Sequence, residues 1–240
     1  MDIDHYSYSN PGGRSHNEDA IGSKLSGEKG IFIVADGLGG HKKGELASEY
    51  VVESMLEAFE ADSSMDRSLW LKESLARINS GILELQKEND CIMKSTAVVL
   101  CIEGEKACFG HVGDSRLYYI HNMDIDYITH DHSVAYKKYM AGEISRLDIN
   151  TDEDQATLLR SLGSSDRYEA EVAEAVTMES GDGFMLCSDG IWEYLHDDEV
   201  LVDYLKAEDA RNWAERLLLR VIDRVDQNND NLSVITVLVE

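Results

Sequence analysis

The chain has 240 residues, enough for one domain with a sizeable core, and 43% hydrophobic residues with a single proline exclude collagenous, low-complexity and disordered classes. Asp and Glu number 47 against 22 Lys and Arg, and the resulting charge of −25 would repel a polyphosphate backbone, which argues against nucleic acid as a partner. Most of these carboxylates read as a solubility feature.

The amino-terminal stretch Met1 to Asn10 carries two aspartates and no apolar run, so neither a signal peptide nor a membrane anchor is expected. The longest apolar runs fall far below the roughly 18 residues of a membrane span. Ile31 to Ala35 is a short apolar run that ends in Asp36-Gly37, as a buried strand feeding a turn does. A helix is expected from about Gly44 to Phe59 through Leu46, Tyr50, Val51 and Met55. A second runs from Arg67 to Lys87, where Leu71, Leu75, Ile78, Ile82 and Leu85 make one apolar stripe.

Ala97–Ile102, Lys106–Val112, Arg116–His121 and Asp124–Thr129 are separated by short turn sequences and read as an antiparallel meander. Val134 to Thr157 is polar and weakly periodic, and reads as an excursion near the site or a surface loop. Phe184 to Ser188 repeats the pattern of an apolar run before Asp189-Gly190, Glu208 to Asp226 is helical through Trp213, Leu217, Val221 and Val225, and Leu232 to Val239 is a further strand. No repeat or linker divides the chain, so residues 1–240 are expected to form a single α+β domain of layered helices on antiparallel strands. Of the four cysteines, Cys101, Cys108 and Cys187 sit in apolar runs, where a reduced thiol packs as a small hydrophobe; a cytoplasmic protein is expected.

Five aspartates, Asp19, Asp36, Asp114, Asp189 and Asp230, stand beside glycine, serine or asparagine at the ends of apolar runs. Any one of them can be an ordinary turn former. Gathered from several strand ends, they would repel one another unless hard cations sat between them, which selects Mg²⁺ or Mn²⁺.

The motifs also occur in a telling order. Arg14-x-x-Asn17-Glu18-Asp19 comes first, then Asp36-Gly37-Leu38-Gly39-Gly40-His41, Ser95-Thr96, Gly110-His111-Val112-Gly113-Asp114-Ser115-Arg116, Asp131-His132-Ser133, Leu162-Gly163, Ser188-Asp189-Gly190 and Asp230-Asn231. The series resembles the metal-dependent serine/threonine protein phosphatases of type 2C, of the compact bacterial kind, from Arg14 to about Val237. The resemblance implies a four-layer α-β-β-α sandwich of two antiparallel sheets flanked by helices. It also implies hydrolysis of phosphoserine and phosphothreonine on proteins by a metal-activated water, opposing a serine/threonine kinase in bacterial signalling.

Carried over by resemblance, Asp36 bridges two tightly bound Mn²⁺ or Mg²⁺ ions, the Gly37 carbonyl ligates one, and Asp189 and Asp230 ligate the other. Asp114 with Asp189 forms a third, weaker site, Glu18 and Asp19 act mostly through bound waters, and Asn231 supports them. Two divalent ions neutralise a phosphate dianion and lower the pKa of a water between them. Arg14 supplies a planar fork for phosphate oxygens. His41 either donates the proton to the leaving alkoxide or orients its loop.

His111 reads as a hydrogen-bonded core residue, and His130 and His132 as props for the excursion; the role of Thr96 is open. The expected partners are a phosphoprotein substrate and its kinase, with the enzyme a monomer. The alternative is a module that keeps the fold and only holds a phosphoprotein, against which Arg14, Asp36, Asp189 and Asp230 are all present. Where many bacterial relatives carry His-Pro and then Arg-Asn, this chain reads Thr151-Asp152-Glu153-Asp154-Gln155, taken as a solvated acidic loop.

Overall fold

A computed structural model describes residues 1–39, 43–61 and 66–240. In chain order the elements are β1 (Ile3–Asn10), β2 (Asp19–Ser26), β3 (Lys29–Leu38), α1 (Lys43–Ala61), α2 (Arg67–Glu88), β4 (Lys94–Ser95), β5 (Ala97–Glu103), β6 (Lys106–Val112), β7 (Arg116–His121) and β8 (Asp124–Ile128). They continue as α3 (Val134–Met140), a 3₁₀ turn (Leu147–Thr151), β9 (Glu171–Val172), β10 (Val176–Thr177), β11 (Gly183–Cys187), α4 (Asp189–Trp192), α5 (Asp197–Leu205), α6 (Ala210–Arg224) and β12 (Leu232–Val239).

The strands form two antiparallel sheets, one ordered β1-β12-β11-β7-β8 and the other β10-β6-β5-β3-β2, with β4 added to β3 and β9 to β6. Antiparallel strands usually keep one face wet and alternate in polarity. Here the central strands are apolar on both faces because both faces are covered. Ile31, Ile33 and Ala35 of β3 face the helices α1 and α2, while Phe32 and Val34 face the other sheet, and β5 divides its residues the same way. On the second sheet Met185 and Cys187 of β11 pack under Trp192, Trp213 and Leu217, while Phe184 and Leu186 point inward. The result is the expected α-β-β-α sandwich, with one core between the sheets and one beneath each helical layer.

Local chemistry sets the helix ends. Asp66 caps α2 by accepting from the Ser68 and Leu69 amides, and Asp209 caps α6 by accepting from Asn212 at 2.6 Å. Trp213, Leu217 and Val221 form the buried stripe of α6 as the spacing predicts. In α1 the buried face runs through Ala47, Val51, Val52, Met55 and Phe59, and Leu46, expected on the inner path, is exposed.

The expected meander is broken. β5–β6 and β7–β8 are hairpins, but β6 belongs to one sheet and β7 to the other, so Gly113-Asp114-Ser115 is a corner that crosses between sheets. Gly113 has φ +103, and a Cβ there would come within 2.6 Å of the Thr96 methyl, so the corner requires glycine. The excursion from Val134 is not a bare loop either. It contains α3 and the 3₁₀ turn, buries Ala135 and Ile149 in the core beneath α5 and α6, and lets Asn150 Nδ2 donate to the carbonyls of Trp192, Glu193 and Leu195. Its acidic run is partly neutralised, since Lys138 pairs with both Asp152 and Asp154 at 2.8 Å.

One buried ion pair fixes the corner from behind. Arg116 donates to both oxygens of Asp131, at 2.8 and 2.7 Å, its guanidinium lies 3.5 Å over the Trp192 ring, and both side chains are 1% exposed. Removing one partner strands a desolvated charge. Asp131→Asn is therefore expected to lower stability by about 3–5 kcal/mol in urea titration; a loss below about 1 kcal/mol would mean that water reaches the guanidinium after all.

Candidate active site

The site lies at one end of the sandwich, where four strand ends and the corner converge. β3 delivers Asp36 and Gly37 at its carboxyl end, and β2 begins at Asp19, which stands directly opposite Asp36 in the register. Asp189 opens α4 immediately after β11, Asp230 and Asn231 immediately precede β12, and Asp114 sits on the inter-sheet corner. With Glu18 and Arg14, Asp36, Asp114, Asp189 and Asp230 line one cleft of ≈ 730 Å³; Asp19 lies behind them, 8% exposed. The fold thus gathers every described residue of the expected set around a single cavity, including Gly37, which lines it. His41, with Gly40 and Lys42, lies outside the described residues.

Backbone and side-chain bonds hold the carboxylates where repulsion would scatter them. Thr96 Oγ1 accepts from the Asp36 amide at 2.9 Å and shares a hydrogen bond with Ser115 Oγ at 2.7 Å, which ties the end of β3 to the Asp114 corner. Trp192 Nε1 donates to the Asp114 carbonyl at 2.9 Å, and Ser188 Oγ donates to Asp19 Oδ2 at 2.8 Å. Asn231 organises the approach: its Oδ1 accepts from the Glu18 amide at 2.7 Å, and its Nδ2 donates to the carbonyls of Pro11 and His16 at 2.9 and 3.0 Å. Gly37 packs against Gly44 at the start of α1 so closely that a Cβ on Gly37 would lie 2.1 Å from the Gly44 carbonyl oxygen. Arg14, more than half exposed at the mouth, pairs with Asp230 at 3.0 Å.

The electrostatics follow from that crowding. Burial raises the Asp36 carboxyl well above the ordinary range, and Asp189, Asp19, Asp114 and Asp230 push it further. Burial and then Asp189 act likewise on Asp114, and burial and then Glu193 on Asp189. Asp19 is raised to about 6, mainly by burial and against hydrogen bonds from Ser233 and Ser188, and Glu18 is raised by burial, Asp230 and Glu45. A set of hard oxygen donors in which Asp19, Asp36, Asp114 and Asp189 are made costly to ionise by burial and by neighbouring carboxylates suits divalent Mg²⁺ or Mn²⁺.

Several residues of the site escaped the sequence reading. Glu193 is raised to about 7 by burial and then by Asp114 and Asp230. It follows Asp189 by four residues, the spacing that places two side chains on one helix face, and that was its available signal. Glu193 is not itself among the residues lining the cleft, whereas His16, Ala156 and Leu158 are, with no motif to mark them.

A second group, His111, His132 and Glu171, has donor atoms within 4.8 Å of one another. Its atoms are already committed. His111 bonds the His130 carbonyl at 2.8 Å through Nε2, His132 Nδ1 accepts from the Gly113 amide at 3.1 Å, and Arg160 lies 3.2 Å from His132 Nε2, where a cation would have to displace it. Glu171, pulled down to about 2 chiefly by its hydrogen bond with His132, completes the cluster. His132 braces the Asp114 corner from behind, and His111 is the buried, hydrogen-bonded residue expected.

Residues 9–219 match the family model for protein phosphatase 2C. Serine/threonine phosphatase stp of Listeria welshimeri is 32% identical over 202 residues, covering 81% of this chain and 79% of that protein. A crystal structure of a bacterial serine phosphatase superposes with a TM-score of 0.89 at 26% identity, covering 100% of this chain and 98% of that one. The catalytic domain of the serine threonine protein phosphatase PstP, solved in complex with two manganese ions, shares the fold with a TM-score of 0.85 at 24% identity, over 99% of each chain.

A carboxyl whose folded pKa is raised holds its proton in the folded state at pH values where the unfolded chain has released it. Its contribution to stability therefore falls as pH rises from the unfolded value near 4 through the folded one. With Asp19 at about 6 and Glu193 at about 7, the melting temperature in EDTA is expected to fall as pH is raised from about 4.5 towards 7.5. Asp36→Asn removes a carboxyl that four neighbouring carboxylates oppose and is expected to raise the EDTA melting temperature at pH 7.5, by roughly 2–4 °C for each 1 kcal/mol relieved. A scan in which wild type and Asp36→Asn coincide at pH 7.5 would show that repulsion does not load the cluster.

Proposed function

The chain belongs to the protein phosphatase 2C family, and we propose that it hydrolyses phosphoserine and phosphothreonine on proteins with divalent cations held by its aspartate cluster. The observation that carries this reading is the convergence of Asp36, Asp114, Asp189 and Asp230 from separate elements onto one cleft whose mouth holds Arg14. In this assignment Asp36 and the Gly37 carbonyl would help hold one ion, and Asp36 with Asp189 and Asp230 would hold another. Asp114 and Asp189 would offer donors for a third, weaker-bound ion, while Glu18 and Asp19 would act through intervening water. Bound there, Mn²⁺ or Mg²⁺ would offset the dianionic charge of the phosphate and make a water acidic enough to attack phosphorus at neutral pH.

The protein's own part is placement. Asp36 is held from two sides, by the Thr96 bond to its amide and by the β2 register, so the donors keep their spacing without the ions having to impose it. Arg14 gives up one N–H to Asp230 and can turn its other guanidinium donors to phosphate oxygens, with the bidentate geometry that a lysine lacks. His41 is assigned to protonate the departing serine or threonine oxygen. Among the described residues no helix is long and apolar enough to cross a membrane, and all four cysteines are free thiols. We place the enzyme in the cytoplasm, where its substrate is the product of a serine/threonine kinase.

Release of inorganic phosphate from a phosphothreonine peptide is expected only with millimolar Mn²⁺ or Mg²⁺, and Asp36→Ala is expected to lower kcat by at least about 100-fold, the scale of losing a main electrostatic stabiliser. Metal-independent release, or full activity in Asp36→Ala, would overturn the assignment. Within the cluster, Asp189→Asn is expected to cost far more than Asp114→Asn, and Arg14→Lys to raise KM for the phosphopeptide more than it lowers kcat. Equal losses at Asp114 and Asp189 would remove the proposed ranking of sites.

A further inference from the structure

The cleft has two chemically different walls. Its floor is carboxylate, whereas the excursion contributes Ala156 and Leu158, and β3 contributes Leu38, two residues beyond Asp36 on the same strand face. These apolar groups are not loosely placed. Leu158 bridges Ser133, the Val134 amide donates to the Thr157 carbonyl at 2.9 Å, and the Leu159 amide donates to the His132 carbonyl at 2.7 Å. Extended backbone sends alternate side chains to opposite sides, so Leu158 faces the cleft while Thr157 and Leu159 are exposed.

The same bonds lock the wall to the floor. His132, which holds Leu159, also accepts from the Gly113 amide beside Asp114, so only two hydrogen bonds separate the apolar wall from the acidic corner. On the other side Gln155 donates to Glu193, and Asn150 grips the carbonyls at the end of α4, the helix that begins with Asp189. Wall and floor are therefore tied together by hydrogen bonds on both sides. The acidic run of the excursion is partly neutralised, because Lys138 pairs with both Asp152 and Asp154.

We propose that Leu38, Ala156 and Leu158 form a subsite for the side chain next to the phosphorylated residue, so that the enzyme prefers phosphosites with an apolar neighbour. The inference rests on the phosphoserine/phosphothreonine phosphatase reading. With phosphate drawn to the floor, a residue adjoining the phosphorylated one is brought beside this wall on one flank, while Ser15 and His16 line the cleft elsewhere. An apolar side chain there leaves water for a leucine-lined surface, whereas a carboxylate is desolvated beside the acidic floor, with Glu18 on the same cleft.

The test is a set of phosphothreonine peptides identical except for Leu, Ser, Glu or Lys at the position beside the phosphothreonine, with both flanks tried and phosphate release followed. For the wild-type enzyme, kcat/KM on the Leu peptide is expected to exceed that on the Ser peptide by about tenfold or more on at least one flank, the Glu peptide being the poorest. Leu158→Ser is expected to narrow the Leu/Ser ratio to within about twofold. Ala156→Glu is expected to lift the Lys peptide above the Leu peptide. Each comparison is a ratio on one preparation, so partial unfolding of a variant cancels. Equal hydrolysis of the Leu and Ser peptides on both flanks by the wild type, or a ratio unchanged in both variants, would overturn the subsite. Failure to hydrolyse any of the peptides with Mn²⁺ present would instead overturn the phosphatase reading beneath it.

Discussion

Mutual repulsion among carboxylates held together out of water is the constraint around which this molecule is built. Asp19 and Asp36 face each other across neighbouring strands, an arrangement that like charges disfavour in any sheet. Asp114, Asp189 and Asp230 then crowd the same cleft from other elements. A flexible scaffold would relieve the strain by spreading the side chains apart. This one restrains the main chain beside three of the acidic residues: Thr96 at the Asp36 amide, Trp192 at the Asp114 carbonyl, and Asn231 at the Glu18 amide. Because these bonds restrain main chain, they occupy none of the carboxylate oxygens of Asp36, Asp114 or Glu18.

Stiffness of that kind needs support behind it, and the layered architecture provides it. Strands buried on both faces cannot shift register without exposing one of three cores, and a slip of one residue would turn each inward side chain outward. The Arg116–Asp131 pair and the Trp192 ring under it hold the inter-sheet corner in place. The guanidinium also sets one positive charge near Asp114 and Glu193, opposing the rise in both carboxyls. A buried ion pair is weak evidence for net stability, yet as a fixed countercharge beside an acidic cleft it has a physical use.

The parts legible in the sequence are those where local pattern and tertiary role coincide. The apolar runs ending in Asp36 and Asp189 are buried strands because both of their faces are covered, and the α2 and α6 stripes face the sheets because the helical period leaves them no other side. The parts that were not legible depend on long-range partners. β1 joins its sheet only by pairing along its whole length with β12, at the far end of the chain, and its half-buried, largely polar sequence carries no apolar signature. The break in the meander hinges on which sheet β7 joins, which is settled by contacts with β11, and the turn sequence is silent on that. α3 has 7 residues, too few for a helical period to declare itself. Glu193 could have been inferred from its spacing to Asp189, whereas Ala156 and Leu158 could not, because an alanine and a leucine gain meaning only from the cavity they face.

That last point bears on how a chain with a charge of −25 can bind a phosphorylated partner at all. The field of the whole molecule repels an anion, so attraction has to come from cations at the floor and from contacts that do not depend on charge. Arg14 is partly engaged by Asp230, and the excursion keeps much of its acidity within its own pairs with Lys138. The uncharged surface next to the floor is the Leu38, Ala156 and Leu158 wall, fixed in place by the same hydrogen bonds that hold the Asp114 corner. Recognition through that wall gains affinity from burial without adding charge to a cleft whose electrostatics are already committed to holding cations.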